Sequence, residues 1–363
     1  METTFFENGE KAIFDLRRIY QKYGYSRYKM SKFEEYDLYV RNKDFLVSEN
    51  VITFTDTDGR LMALKPDVTL SIVNNANPQE NSVQKVYYNE NVYRVSKGSH
   101  SFKEIMQVGL ECIGDIDSYC ISEVISLAAK SLKEISENAV LSISHLGLLN
   151  AILNPLNLSA DLKSQIIKCI EEKNEHELKS LCAQNEIDDN TASLISKLIS
   201  LYGNAYEVIN ELKDLDENEN YKAAFCEFEK ILNLITDENI KAMLQIDFSV
   251  ISDAKYYNGI VFKGFIEKIP SSVLSGGQYD SLMKRMNKKS GALGFAVYLD
   301  MLDPLKSQTD EFEQDVIILY NENTDPMALK ELTEELILKG NRVSAQKTIP
   351  DKLTYRQLID LKK

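Results

Sequence analysis

One strand-like stretch, residues 104–114, carries the side chains that most suggest chemistry. Apolar and polar residues alternate along it, so Gln107, Gly109 and Glu111 share one face while an apolar row occupies the other. An amide and a carboxylate that flank a glycine predict the floor of a pocket for a small ligand. A half-exposed sheet with an ordinary polar face is the alternative that this strand alone leaves open.

A second strand precedes this one and completes a hairpin. Residues 83–95 are rich in Val and Tyr, and Arg94 lies next to their end. Residues 96–101 are mostly small and polar and include Gly98, as a hairpin connection requires. The two strands are therefore predicted to pair, with Arg94 near the loop.

This hairpin resembles motif 2 of class II aminoacyl-tRNA synthetases, in the form found in histidyl-tRNA synthetases: an arginine (VYR) closes one strand and QxGxE lies on the next. Two later stretches agree. KYYNGIVF, residues 255–262, resembles the histidine-binding signature of those enzymes. SGGQYDSL, residues 275–282, and GALGFAVYLDML, residues 291–302, resemble motif 3 and the strand that leads into it. The pieces follow the family's order over about residues 9–305.

The segment LKPDVT, residues 64–69, resembles the LRPEGT element of histidyl-tRNA synthetases, whose acidic residue and threonine meet the amino group of histidine. Asp67 and Thr69 take those positions. Asp67 also suits the first turn of a helix, near the positive end of the helix dipole, and the two roles are compatible. The resemblance therefore includes the end of the site that would hold an ammonium group.

Taken together, these motifs imply a binding site for histidine or a close analogue. Carboxylate and amide groups suit an α-ammonium group, and tyrosine hydroxyls suit an imidazole. The residues at matching positions are Asp67, Thr69, Arg94, Gln107, Glu111, Tyr256, Tyr257 and Tyr279. The alternative is a vestigial site, in which the same residues only pack and meet water.

Positions at which the resemblance implies nucleotide chemistry carry other residues in this chain. Met301 stands where motif 3 has its nucleotide-binding arginine, and Gln278 stands where the family's GGRYD has an arginine. Ser96 replaces a motif 2 glutamate, Ser252 replaces the arginine that opens the histidine signature, and Lys103 is the basic residue kept in the motif 2 loop. Because charge-assisted contacts are the strong ones, we expect no adenylation, no catalytic residue and no cofactor.

The pattern of strands and helices predicts an α+β protein with a class II synthetase-like core, a mainly antiparallel sheet, a helical insertion and a truncated C-terminal α/β tail. Residues 1–145 and 239–305 form the two parts of the core. Residues 146–238 form the insertion, where helical periodicity replaces strand character. Residues 306–363 resemble the first half of an anticodon-binding domain and are expected to supply two strands and two helices.

The N-terminal segment resembles motif 1, which forms a dimer interface in the family. An apolar stripe predicts a helix that ends at Gly24, and a strand is expected over residues 33–39. Ser31 stands where the motif has a proline, so the motif is incomplete. By resemblance, we still expect a homodimer.

Composition limits the class of protein. The 363 residues include 42 basic and 56 acidic side chains, a net charge of −14, which argues against tRNA as a substrate because nucleic-acid binding depends on basic groups. We expect neither a membrane span nor a signal sequence. The five scattered cysteines favour thiols in a cytoplasmic protein, and the three histidines lack metal-ligand spacing, so no metal site is expected.

A synthetase-like body with an altered nucleotide site, a kept amino-acid floor and half an anticodon domain resembles a family of histidyl-tRNA synthetase paralogues, the regulatory subunits of ATP phosphoribosyltransferase. The resemblance implies a non-catalytic subunit that assembles with the short-form catalytic subunit and supports the first step of histidine biosynthesis and its feedback by free histidine. Two alternatives stay open: a histidyl-tRNA synthetase-like binding protein or sensor with another partner, and a working synthetase.

Overall fold

The structure, a computed structural model, describes residues 8–43, 46, 50–95, 101–251, 257–305 and 312–362. The chain divides into two units, Met1–Pro304 and Leu305–Lys363. Within the described ranges, no helix combines the length and the apolar character that a membrane span needs.

A large sheet forms the body of the first unit. The strands of this unit are, in chain order, β1 (Ser26–Arg27), β2 (Phe33–Glu35), β3 (Thr53–Thr55), β4 (Leu61–Leu64), β5 (Val83–Val95), β6 (Phe102–Gly114), β7 (Ala139–His145), β8 (Tyr202–Asn204), β9 (Leu244–Asp247), β10 (Ile260–Ile266), β11 (Leu274–Gln278) and β12 (Gly291–Tyr298). Among the described residues, nine strands form the large sheet in the order β1-β5-β6-β12-β11-β10-β7-β9-β8. Neighbours run antiparallel except in the β1–β5 and β7–β9 pairs. The predicted, mainly antiparallel sheet is therefore confirmed.

The β5–β6 hairpin is the longest strand pair of this sheet, and its two strands pair along their full length. Both faces of β6 are buried towards its C-terminal half, because Leu110 on one face and Gln107 and Glu111 on the other are each at most 3% exposed. The polar face of this strand is therefore not the half-exposed surface that the sequence left open as an alternative.

Helices make up most of the remaining chain of the first unit. In chain order they are α1 (Asn8–Lys22), α2 (Tyr36–Arg41), α3 (Val68–Asn75), α4 (Ser118–Ile135), α5 (Leu146–Leu153), α6 (Ala160–Glu171), α7 (Glu175–Gln184), α8 (Asp189–Ser200), α9 (Ala205–Leu212), α10 (Glu219–Asn233), α11 (Glu238–Met243) and α12 (Asp280–Arg285). Asn174 caps α7 and Asp188 caps α8, each accepting a backbone N–H hydrogen bond at 3.0 Å. Such caps satisfy N–H groups that a helix start leaves unpaired, which explains the Asn- and Asp-rich breaks of the insertion.

One short strand departs from the all-helical interpretation of residues 146–238. β8 pairs antiparallel with β9 at the end of the large sheet. Gly203 in this strand has a φ of +148°, and Asn204 then starts α9 by accepting a hydrogen bond from the N–H of Tyr206 at 3.0 Å. The prediction was wrong here, because three residues between two helices are too few to give a periodic signal.

The segment after α1 differs from the strand predicted over residues 33–39. β2 ends at Glu35 and α2 follows at once. Asp37 lies in the first turn of α2 and Arg41 in the last, and the two side chains pair at 3.2 Å, an arrangement that favours a helix. Among the described residues, β2, β4 and β3 form a separate three-stranded sheet, whose β3–β4 turn contains Gly59 at a φ of +81°.

The second unit contains a parallel sheet. Its elements are β13 (Gln314–Leu319), α13 (Pro326–Leu338), β14 (Val343–Gln346) and β15 (Tyr355–Asp360). In residues 312–362, β13 lies between β14 and β15 and runs parallel to both. The prediction of two strands and two helices was wrong for the last segment, which forms β15. This strand is short and largely exposed, so its sequence shows little of the apolar pattern by which strands are identified.

Candidate ligand-binding site

A cavity of about 630 Å³ lies over the polar face of β6. Seven of the eight residues predicted for the site line it: Asp67, Thr69, Arg94, Gln107, Glu111, Tyr257 and Tyr279. The eighth, Tyr256, lies outside the described residues. The volume falls in the range of pockets that bind small organic molecules. Residues from four separate motifs are therefore brought together around one space.

Glu111 is the centre of a hydrogen-bonded cluster in this cavity. Its Oε1 accepts a hydrogen bond from Thr69 Oγ1 at 2.7 Å, and its Oε2 accepts one from the Tyr279 hydroxyl. Burial raises the pKa of Glu111 to about 8, although the hydrogen bonds from Tyr279 and Thr69 act in the opposite direction. A buried carboxyl group of this kind is a good partner for a cationic ligand, because an opposite charge favours its ionised form.

Asp67 combines a structural position with a place in the cavity wall. Its Oδ1 accepts a hydrogen bond from the backbone N–H of Leu70 at 2.8 Å, which caps α3. Its Oδ2 lies 3.9 Å from Nη2 of Arg94, whose Nε donates to the carbonyl oxygen of Pro66 at 2.9 Å. Burial raises the pKa of Asp67 despite the opposing effect of Arg94. The residue is therefore both the predicted helix start and part of the cavity.

Two glycines leave space for the buried polar groups. A Cβ atom at Gly294 would overlap Oε2 of Glu111, and a Cβ atom at Gly109 would overlap the hydroxyl end of Tyr88. Gly294 is the β12 partner of Glu111, and Gly109 is the β6 partner of Tyr88. Sequence reasoning missed Tyr88, which also lines the cavity. The signal that could have found it is the glycine directly across the predicted hairpin.

Tyr257 and Gln107 complete the predicted set. The Tyr257 ring lies against Gly277 of β11, where an added Cβ atom would be 2.8 Å from Tyr257 Cδ1. Gln107 is buried and pairs with Tyr298 across β6 and β12, and both side chains reach the cavity. Aromatic rings beside amide and carboxylate groups suit a ligand that has one polar end and one flat, weakly polar part.

The helical insertion supplies a second wall that sequence reasoning missed. The lining residues from this wall are Leu146, Leu149, Asn150, Ala160, Lys163, Ser164, Ile167, Lys168 and Glu171. Lys163 Nζ donates to Asn150 Oδ1 and to Asn154 Oδ1, each at 3.0 Å. Burial lowers the pKa of Lys163. No motif marks these residues, because α5 and α6 have the ordinary apolar pattern of packed helices.

The next residues stand at positions where the resemblance implies charged groups that bind the nucleotide or the substrate. Gln278 is buried, and its Oε1 accepts a hydrogen bond from the backbone N–H of Ile260 at 2.9 Å. Met301 follows β12 and is 37% exposed. Ser96 and Ser252 lie outside the described residues. The side chain at position 278 therefore holds two neighbouring strands together instead of presenting a cation.

The charged groups of the cavity come from both walls. Asp67, Glu111 and Arg94 belong to the core, whereas Lys163, Lys168 and Glu171 belong to α6. In the part of the chain that the structure describes, no group of three His, Cys, Asp or Glu side chains could hold a metal ion. The cavity thus offers hydrogen-bonding groups of both charges to an organic ligand.

The fold and this site define a class of protein. The chain belongs to the histidyl-tRNA synthetase family, whose model matches residues 4–302. The resemblance inferred from the motifs and the class II synthetase-like fold are therefore confirmed.

Individual proteins that are similar to this chain show which members of the family it resembles. The ATP phosphoribosyltransferase regulatory subunit of Oceanobacillus iheyensis is 27% identical over 324 residues, which cover 88% of this chain and 80% of that protein. The crystal structure of an ATP phosphoribosyltransferase regulatory subunit/histidyl-tRNA synthetase from Bacillus halodurans is 24% identical, with a TM-score of 0.74 and coverage of 97% of this chain and 93% of that one. A chain of the ATP phosphoribosyl transferase (HisG:HisZ) complex from Thermotoga maritima is 21% identical, with a TM-score of 0.63 and coverage of 80% and 97%. The two structures share the fold of this chain.

Proposed function

We propose that this chain is the non-catalytic regulatory subunit of an ATP phosphoribosyltransferase and supports the first step of histidine biosynthesis. Relatives of that name match most of its length. The observation that carries the proposal is a contrast between the residues at the family's amino-acid-binding positions and a residue at one of its arginine positions. The residues proposed to bind an amino acid line one cavity around Glu111, whereas Gln278, at an arginine position of the family, accepts a hydrogen bond from the backbone of a neighbouring strand. Such a chain can hold an amino acid but lacks cations that adenylation places around phosphates.

Free histidine is the proposed ligand of the cavity, and its binding gives the assembly its feedback. The α-ammonium group would contact Glu111, with Asp67 and Gln107 beside it, and Tyr257 would approach the imidazole. This arrangement is supported by the place of all four side chains in one cavity. It also gives the buried carboxyl group of Glu111 a cationic partner.

The proposed subunit is a homodimer and binds the short-form catalytic subunit. Phe33 and Phe54 on the small sheet are 47% and 37% exposed, and their rings pack edge to face with centroids 5.2 Å apart. Leu61, on the neighbouring β4 strand, is 49% exposed. A second copy of the chain that covers this apolar face would remove it from water.

Reconstitution tests the proposal. The purified chain is mixed with the short catalytic subunit from the same genome, and phosphoribosyl transfer to ATP is measured with and without histidine. We expect no transfer by this chain alone, faster transfer by the mixture than by the catalytic subunit alone, and inhibition by histidine. Failure to stimulate the catalytic subunit would overturn the regulatory role. Histidine-dependent ATP–pyrophosphate exchange by this chain alone would overturn its non-catalytic character.

A further inference from the structure

Among the described residues, three cationic side chains line the cavity: Arg94 on β5, and Lys163 and Lys168 on α6. Two of them already have a carboxylate close by. Arg94 lies 3.9 Å from Asp67, and Lys168 lies 3.7 Å from Glu172, the exposed residue directly after α6. The charges of Arg94 and Lys168 are therefore partly balanced within the chain itself.

Lys163 differs from both in the chemistry of its partners. Its ammonium group donates to two neutral amide oxygens, Asn150 Oδ1 and Asn154 Oδ1, at 3.0 Å each. Within the described ranges, no carboxylate forms an ion pair with it. An ammonium group has three N–H donors, so two hold the side chain in place and one is left for another acceptor. A partly buried cation with neutral partners gains from an anion.

The ligand proposed for the cavity also needs a partner for its own anionic group. The resemblance places an arginine next to the carboxylate of histidine, and the residue at that position is Ser252. A neutral hydroxyl cannot balance the charge of a carboxylate. A cation elsewhere in the lining is the group that would restore this balance.

We propose that Lys163 binds the anionic group of the ligand whose ammonium group contacts Glu111. The inference rests on the proposed function, which places that ammonium group, and it assigns the second half of the site to the helical insertion. The ligand class is an amino-acid-like molecule with a carboxylate or a phosphate monoester. A cavity of about 630 Å³ has room for either, because pockets of this size accept drug-sized molecules.

Calorimetry with three related probes tests the inference. Histidine carries a carboxylate, histidinol has a neutral hydroxymethyl group in its place, and histidinol phosphate carries a phosphate ester. We expect the wild type to bind at least one of the two anionic probes roughly tenfold or more tighter than histidinol, the usual effect of a charge-assisted hydrogen bond. The anionic probe that binds more tightly relative to histidinol shows whether the site prefers a carboxylate or a phosphate.

Variants then assign the preference to one side chain. In Lys163→Met, the preference for the anionic probe should fall below about threefold, while the affinity for histidinol stays near the wild-type value. Lys163→Gln keeps a donor towards the two asparagines and should lose the preference in the same way, so a folding defect of the first variant does not decide the test. Lys179→Met, the same change on an exposed lysine of α7, is the matched control and should keep the preference in full.

The outcomes separate this inference from the proposed function. If the wild type binds none of the three probes, both the histidine site and the assignment of Lys163 are overturned. If the wild type binds histidine and the Lys163 variants keep its preference over histidinol, only the assignment of Lys163 is overturned. Loss of the preference in Arg94→Gln alone would give the anion-binding position to Arg94 instead.

Discussion

Replacing Glu111 by glutamine separates the charge of the site from its shape. The two side chains have nearly the same size. The amide can still meet the hydroxyls of Thr69 and Tyr279, because each hydroxyl is able to donate or to accept a hydrogen bond. We therefore expect Glu111→Gln to fold and to retain the cavity. Its stability should depend on pH less strongly than that of the wild type.

The size of the effect follows from the pKa of Glu111 in the two states. Burial raises it to about 8 in the folded chain, whereas a glutamate in an unfolded chain titrates near about 4.3. Folding thus favours the protonated form, and this stabilisation is present in full below about pH 4 and is lost as the pH rises through about 8. Between those values the wild type loses roughly 1.4 kcal/mol of its free energy of unfolding per pH unit from this group.

Urea unfolding followed by circular dichroism between about pH 5 and pH 8 measures this slope. Wild type and Glu111→Gln should diverge steadily over the interval, with the variant relatively more stable at the alkaline end. Glu137→Gln, an exposed glutamate between α4 and β7, is the control and should follow the wild type. Parallel curves for wild type and Glu111→Gln would refute the reasoning, because folding would then not be linked to the protonation of Glu111.

Two further predictions concern the shape of the site and the assembly. Gly294→Ala adds a methyl group that overlaps Oε2 of Glu111. We expect urea unfolding to show a loss of roughly 1–3 kcal/mol in stability, and calorimetry to show a histidine affinity at least about tenfold weaker. Unchanged histidine binding would contradict the proposed place of the ligand. Light scattering should report the mass of two chains for the wild type and of one chain for Phe33→Asp, and a monomeric wild type would contradict the dimer.

The hairpin and the floor of the site could be predicted because their information is local. Alternation along β6 decides which side chains share a face, so Gln107 and Glu111 could be placed together from the sequence alone. Periodicity could not show that Asp67 and Tyr279 lie next to this floor, because neither residue belongs to β6. The order of motifs supplied that step through the family resemblance.

The α6 wall could not be predicted, because it depends on how the insertion packs against the core. Lys163 has an ordinary place on an amphipathic helix, and its sequence neighbours do not distinguish it from Lys168. The strands β8 and β15 were missed for a different reason. Short strands whose partners lie far away in the chain give weak local signals, and pairing rather than propensity decides their conformation.

Restoring the family's arginine at position 278 tests whether the loss of that charge can be reversed by one substitution. Gln278 Oε1 accepts the N–H of Ile260 at 2.9 Å and lies where a Cβ atom at Gly259 would be. Arginine has donors and no acceptor, so Gln278→Arg would leave a buried N–H group without a partner, at a cost of about 1–3 kcal/mol.

We expect Gln278→Arg to unfold at a lower urea concentration and to show no ATP–pyrophosphate exchange. Gln184→Arg, the same change at an exposed position of α7, should leave the unfolding midpoint unchanged. A variant at position 278 with wild-type stability, or with measurable exchange, would contradict this account. The backbone N–H of Ile260 has its acceptor in the side chain of residue 278, so local hydrogen bonding disfavours the arginine that the family has at this position.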